Sequence, residues 1–105
     1  MTGPARTEVV SDEHSVPVTR EVEIVNKKGL HARASAKFVQ TAEQYNAAII
    51  VSRGNETVGG TSIMGLMMLA AATGTTITVQ ATGKQAPEAV EALVALVSNR
   101  FGEEE

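Results

Sequence analysis

From Thr19 the chain begins to alternate. In "TREVEIV" Glu21 and Glu23 fall on one side and Val22 and Ile24 on the other, the period of a half-buried strand. Asn26-Lys27-Lys28-Gly29 interrupts it as a loop, after which Ala32, Ser35, Phe38, Val39, Ala42 and Tyr45 share one helical stripe. "NAAIIVS" reads as a second strand, and Arg53-Gly54-Asn55 as a turn into a third near Glu56-Thr57-Val58. Gly59-Gly60 breaks the pattern again. "TSIMGLMMLAA" is an apolar helix opened by a capping serine, and Gly74 is its expected end. "TTITVQAT" alternates with Ile77, Val79 and Ala81 on one face, a fourth strand. The last helix runs from Pro87 to Phe101 on a stripe of Ala89, Val90, Leu93, Leu96, Val97 and Phe101. Pro87 is tolerated in its first turn, Glu88 and Glu91 suit its positive end, and Arg100 and Gly102 mark its close.

The order strand, helix, strand, strand, helix, strand, helix predicts the α+β class. It describes an open-faced sandwich, one antiparallel or mixed sheet with the helices on one face and polar residues on the other. Residues 1–18 carry no period and are expected to form a flexible tail, with His14 an exposed side chain within it. Residues 19–102 then form one domain, which suits a chain of 105 residues, and 103–105 an acidic end.

Composition narrows the function. A net charge of −3 and only three aromatic residues (Phe38, Tyr45 and Phe101) argue against nucleic acid as a partner. With no cysteine, disulfides, thiol catalysis and cysteine-based metal sites are excluded. No stretch resembles a signal-peptide core or a membrane span, so a soluble cytoplasmic protein is expected.

The chemistry lies in "GLHAR". Gly29 permits a tight turn and places His31 at the start of a helix, where backbone N–H groups lack partners and the dipole favours anions. Such an end binds phosphate readily, and the forked guanidinium of Arg33 suits a phosphoryl group. On the residues alone, His31 is either a polar cap or a nucleophile beside an anion cradle. No metal site is expected, since no second histidine or cysteine is close and the nearest downstream carboxylate is Glu43, three helical turns along. No carboxylate pair or nucleophile–base set can be assembled around His31, which argues against a self-sufficient enzyme.

Ser62 is an N-cap, and a phosphate there would be electrostatically acceptable. Ile63, Met64, Leu66, Met67, Met68 and Leu69 make the following helix apolar nearly all round, more than one face of a short helix can bury. Leu66 and Leu69 are expected in the core. Ile63, Met64 and Met67 are expected to be partly exposed as a docking patch.

"GLHAR" after "NKKG", with "SIMGLMMLAA" some thirty residues on, resembles HPr, the histidine-containing phosphocarrier family of the bacterial phosphotransferase system. The resemblance spans residues 19–101. It implies a four-stranded antiparallel sheet with three helices on one face. It further implies that His31 accepts a phosphoryl group on Nδ1 from Enzyme I, which draws it from phosphoenolpyruvate, and passes it to an EIIA-type protein. Arg33 would steady the group, and the N–H groups near Ala32 and Arg33 would complete the pocket. Ser62 matches the serine modified by HPr kinase/phosphorylase, and a phosphate there would lie beside the surface that meets Enzyme I. Neither cofactor nor metal is implied, the carrier is expected to be a monomer, and catalysis belongs to its partners. Two departures stand out. Many members have proline after the arginine, where this chain has Ala34-Ser35-Ala36, and "HARASAKFV" is similar to the nitrogen-related carriers. Thr61 also occupies a position often basic. The alternative is a regulatory binding module of the same fold, acting through the Ser62–Met67 surface with His31 as a mere cap; His31 together with Arg33 argues against it.

Overall fold

A computed structural model describes the backbone of residues 14–105 and side chains from Val16 onward. Strand β1 is His14–Glu23, helix α1 Ala32–Ala42, β2 Ala48–Arg53, β3 Glu56–Gly59, α2 Ile63–Met68, β4 Thr76–Gly83 and α3 Ala86–Ser98. A short 3-10 turn, Arg100–Gly102, follows. The four strands form one sheet in the order β1-β4-β2-β3, every neighbouring pair antiparallel.

Alternation along the strands decides which face is covered. Val22, Ile49, Val51, Ile77, Val79 and Ala81 are buried beneath the helices, with Ile24 just beyond the end of β1. Phe38 of α1, Leu66 of α2, and Ala89, Val90, Leu93 and Val97 of α3 close the same core. Burying each large apolar side chain contributes about 1.5–3 kcal/mol. The helices thus lie on one face, with α3 over β1 and β4, and α1 against α2 and α3. Among the described residues no helix is long and apolar enough to cross a membrane.

Four boundaries differ from the sequence reading. The first strand starts at His14, inside the expected tail; residues 1–13 lie outside the described part. Pro17 hid the strand, because a proline argues against a central one. It is tolerated here because β1 is an edge strand whose register shifts between His14 and Val18. In α1 the buried stripe is Ala34, Ser35, Phe38, Val39 and Ala42; Ala32 is exposed in the first turn and Tyr45 lies past the helix end. Helix α2 stops at Met68, well before Gly74. Ala70 turns the chain with φ 53°, and Arg53 Nη1 donates to the Leu69 carbonyl at 3.1 Å, satisfying an acceptor at the helix end. Finally, α3 ends at Ser98, and Phe101, though buried, lies on the turn beyond it.

Candidate functional site

Three segments converge on His31. Gly29, at φ +67°, turns the chain after β1, and an added Cβ would lie 2.3 Å from the Ala71 carbonyl oxygen. Only glycine meets both demands. Leu30 N–H donates to that carbonyl at 3.0 Å, so the loop before His31 is tied to the segment after α2. The buried Ser35 hydroxyl donates to the Leu30 carbonyl at 3.2 Å, fixing the same loop to α1.

His31 is the N-cap of α1. Its backbone is extended (φ −75°, ψ −178°), and its Nδ1 accepts from the Arg33 backbone N–H at 3.2 Å. The lone pair of Nδ1 therefore faces the positive end of the helix. Arg33 is exposed and lines the same cleft, about 570 Å³, together with Lys27, Lys28, Ala32 and the three terminal glutamates. This brings together His31, Arg33 and the first N–H groups of α1, as the sequence anticipated.

It did not anticipate Glu103. Its Oε2 lies 2.7 Å from His31 Nε2, with the two side chains only 17% and 26% exposed respectively. The nearest downstream carboxylate in sequence is Glu43, but the one that reaches the ring arrives from seventy-two residues downstream. The acidic end is accordingly part of the site rather than an appendage. Buried Asn26 holds the other oxygen: its Nδ2 donates to Glu103 Oε1 at 3.1 Å and to the Gly29 carbonyl at 2.9 Å. Two acceptors on one side fix the amide orientation, which leaves Asn26 Oδ1 buried without a partner. Burial pushes the Glu103 carboxyl up, but the hydrogen bonds from Asn26 and His31, with the charges of His31 and Lys37, outweigh it. The net direction is down.

A strained turn delivers Glu103. Arg100, Phe101 and Gly102 all have positive φ (57°, 55° and 78°). For the two non-glycine residues this costs roughly 1–2 kcal/mol each. The burial of Phe101 (1% exposed) and a 2.6 Å hydrogen bond from Lys37 Nζ to its carbonyl offset that cost. The end of the chain is then pinned by Lys27 N–H, which donates to the Glu105 carbonyl at 2.6 Å. Neither Asn26 nor Glu103 sits on an amphipathic stripe, so periodicity alone could not find them; an asparagine opening the loop before "GLHAR" was the only available hint.

The second cap is Ser62, whose Oγ accepts from Gly65 N–H at 2.9 Å. Around it the helix divides as expected, with Leu66 and Leu69 buried and Ile63, Met64 and Met67 exposed at 40%, 72% and 43%. Met68, at 72%, extends this apolar surface. No cluster of three or more metal-ligating side chains occurs among the described residues.

Comparison with known proteins agrees with this geometry. Residues 18–99 match the family model described as the PTS HPr component phosphorylation site. Phosphocarrier protein HPr of Neisseria meningitidis is 51% identical over 86 residues, covering 82% of this chain and 97% of the relative. Phosphocarrier protein NPr of Shewanella violacea is 40% identical over 84 residues, covering 80% and 92% respectively. A crystal structure of HPr from Thermoanaerobacter tengcongensis superposes with a TM-score of 0.80 at 43% identity, covering 84% of this chain and 99% of that one. The cleft around a capping histidine is thus set in the fold and sequence of a known carrier, and the chain belongs to the HPr family of phosphocarriers of the phosphotransferase system.

Proposed function

We propose that His31 carries the phosphoryl group on Nδ1, receiving it from Enzyme I and yielding it to an EIIA-type protein in the cytoplasm. The observation that carries this reading is the aim of the ring. Nδ1 faces the first turn of α1, where it accepts from the Arg33 N–H, while Nε2 is occupied by Glu103. The Nδ1 lone pair attacks phosphorus, the donor's bond to phosphorus breaks, and the electron pair leaves with the donor. The Arg33 N–H, released from its 3.2 Å contact with the ring, is then free to donate to a phosphoryl oxygen. The guanidinium of Arg33 adds charge neutralisation from the same cleft.

Ile63, Met64 and Met67 serve as the docking patch for donor and acceptor in turn. Their flexible apolar side chains suit a surface that must meet several partners weakly. Ser62, at the edge of that patch, is the position where HPr kinase/phosphorylase would act. A phosphate there would keep the helix, since its N-terminus welcomes negative charge, and would hinder docking. The names of the relatives favour the HPr side of the family over the nitrogen-related side, at 51% identity against 40%.

The test is phosphoryl transfer from labelled phosphoenolpyruvate through purified Enzyme I, on the native chain and on His31→Ala. Acid-labile, base-stable label on the native chain alone is expected. A folded native chain that takes no label would overturn the reading.

A further inference from the structure

A carboxylate is an unexpected neighbour for a residue that must receive a negatively charged group. Glu103 would repel a phosphoryl group if it shared the Nδ1 side of the ring, yet it meets Nε2 instead. Its place is determined from several directions at once. Asn26 holds Oε1, Lys37 holds the Phe101 carbonyl, Phe101 is sunk in the core, and the intervening turn is kept in the left-handed region.

We propose that Glu103 is a positioning residue for phosphoryl transfer: it holds the Nε2–H tautomer of His31 and offsets the positive charge that the ring gains as Nδ1 bonds to phosphorus. The inference rests on the reading of His31 as the carrier. A neutral imidazole has one N–H, and a carboxylate 2.7 Å from Nε2 accepts only if that proton resides there. Nδ1 is then bare, as its contact with the Arg33 N–H also requires. When Nδ1 gives its lone pair to phosphorus, the proton stays on Nε2 and the ring becomes formally cationic. A hydrogen bond from such a ring to a carboxylate is the charge-assisted kind, about twice as strong as a neutral one. The bond therefore tightens as transfer proceeds, the behaviour that accelerates a reaction. Asn26 contributes through Glu103, by fixing which oxygen faces the ring.

The test uses the full chain with Glu103→Ala and Glu103→Gln, read by ring ¹⁵N spectra and by the kinetics of phosphoryl uptake from phospho-Enzyme I. In the native chain the neutral ring is expected almost wholly as the Nε2–H tautomer. Glu103→Ala should raise the Nδ1–H share and lower kcat about tenfold, the order expected for losing one hydrogen bond to a charged group in the transition state. The KM of Enzyme I for this chain should hardly change. Glu103→Gln, which retains an acceptor oxygen without the charge, should keep the tautomer and fall between the two in rate. Unchanged tautomer and kcat in Glu103→Ala, faster uptake, or an effect confined to KM would each overturn the proposal. If the native chain takes no label, the carrier reading falls instead, and the ring spectra still decide whether Glu103 sets the tautomer.

Discussion

The two side-chain N-caps among the described residues each accept from a first-turn N–H and differ in almost everything around it. His31 Nδ1 accepts from a backbone N–H of α1, and Ser62 Oγ from one of α2. His31, however, lies in a cleft lined by charged side chains of both signs, Lys27, Lys28 and Arg33 with the three glutamates, and its far nitrogen is held by Glu103. Ser62 is exposed, and its neighbours are apolar. A cap of either kind satisfies an orphan donor, so helix formation alone does not explain the histidine. Its surroundings suit transfer of a charged group, whereas those of Ser62 suit contact between proteins.

The largest effect expected from breaking this contrast is at His31. His31→Ala should abolish labelling from phosphoenolpyruvate, while Ser62→Ala should take label at close to the native rate. Equal losses in both would erase the distinction. Next in size is Gly29→Ala, which strikes the contact joining the two regions. The new Cβ would meet the Ala71 carbonyl from a left-handed backbone, at a cost of roughly 2–5 kcal/mol. A fall in Tm of about 10 °C or more in calorimetry is expected.

Ser62 itself gives a smaller signal. Ser62→Ala should lose about 1 kcal/mol of stability through its cap. Ser62→Asp keeps an acceptor and adds charge, so it should retain stability but take label several-fold more slowly, chiefly through KM. If Ser62→Asp docks as well as the native chain, the apolar surface is not where the donor binds.

The smallest effect is the pH dependence of the Glu103 contact. The native carboxyl titrates below its ordinary value of 4.5, under the influence of Asn26, His31 and Lys37. A lowered acid favours the folded state above the ordinary value, and that contribution is lost as pH falls through the lowered one. The Tm gap between the native chain and Glu103→Gln should therefore be constant near neutrality and close in acid. A gap that widens in acid would contradict the assignment.

The sheet, the three helices and the identity of both caps were legible because each rests on a local signal. Period-two alternation marks Ile77, Val79 and Ala81, and period-3.6 spacing marks Leu93 and Val97. Helix boundaries were less so, since α2 is stopped by a left-handed alanine and an arginine from β2 rather than by its glycine. The expected site was half complete. His31 and Arg33 are two residues apart and announce each other, but Glu103 reaches His31 only through a turn in which Arg100 and Phe101 take a conformation neither residue type favours. Phe101 was correctly placed in the core, on a helix that had already ended. Tertiary packing, not local preference, chose that turn.

Phosphoryl transfer as proposed needs Nδ1 of His31 as the atom that takes the group. The most direct measurement is the ¹⁵N and ³¹P spectrum of the chain after phosphorylation by Enzyme I, with histidine rings labelled. Coupling between phosphorus and Nδ1 of His31 is expected, with Nε2 still protonated. Phosphorus on Nε2, or on any residue other than His31, would contradict the account.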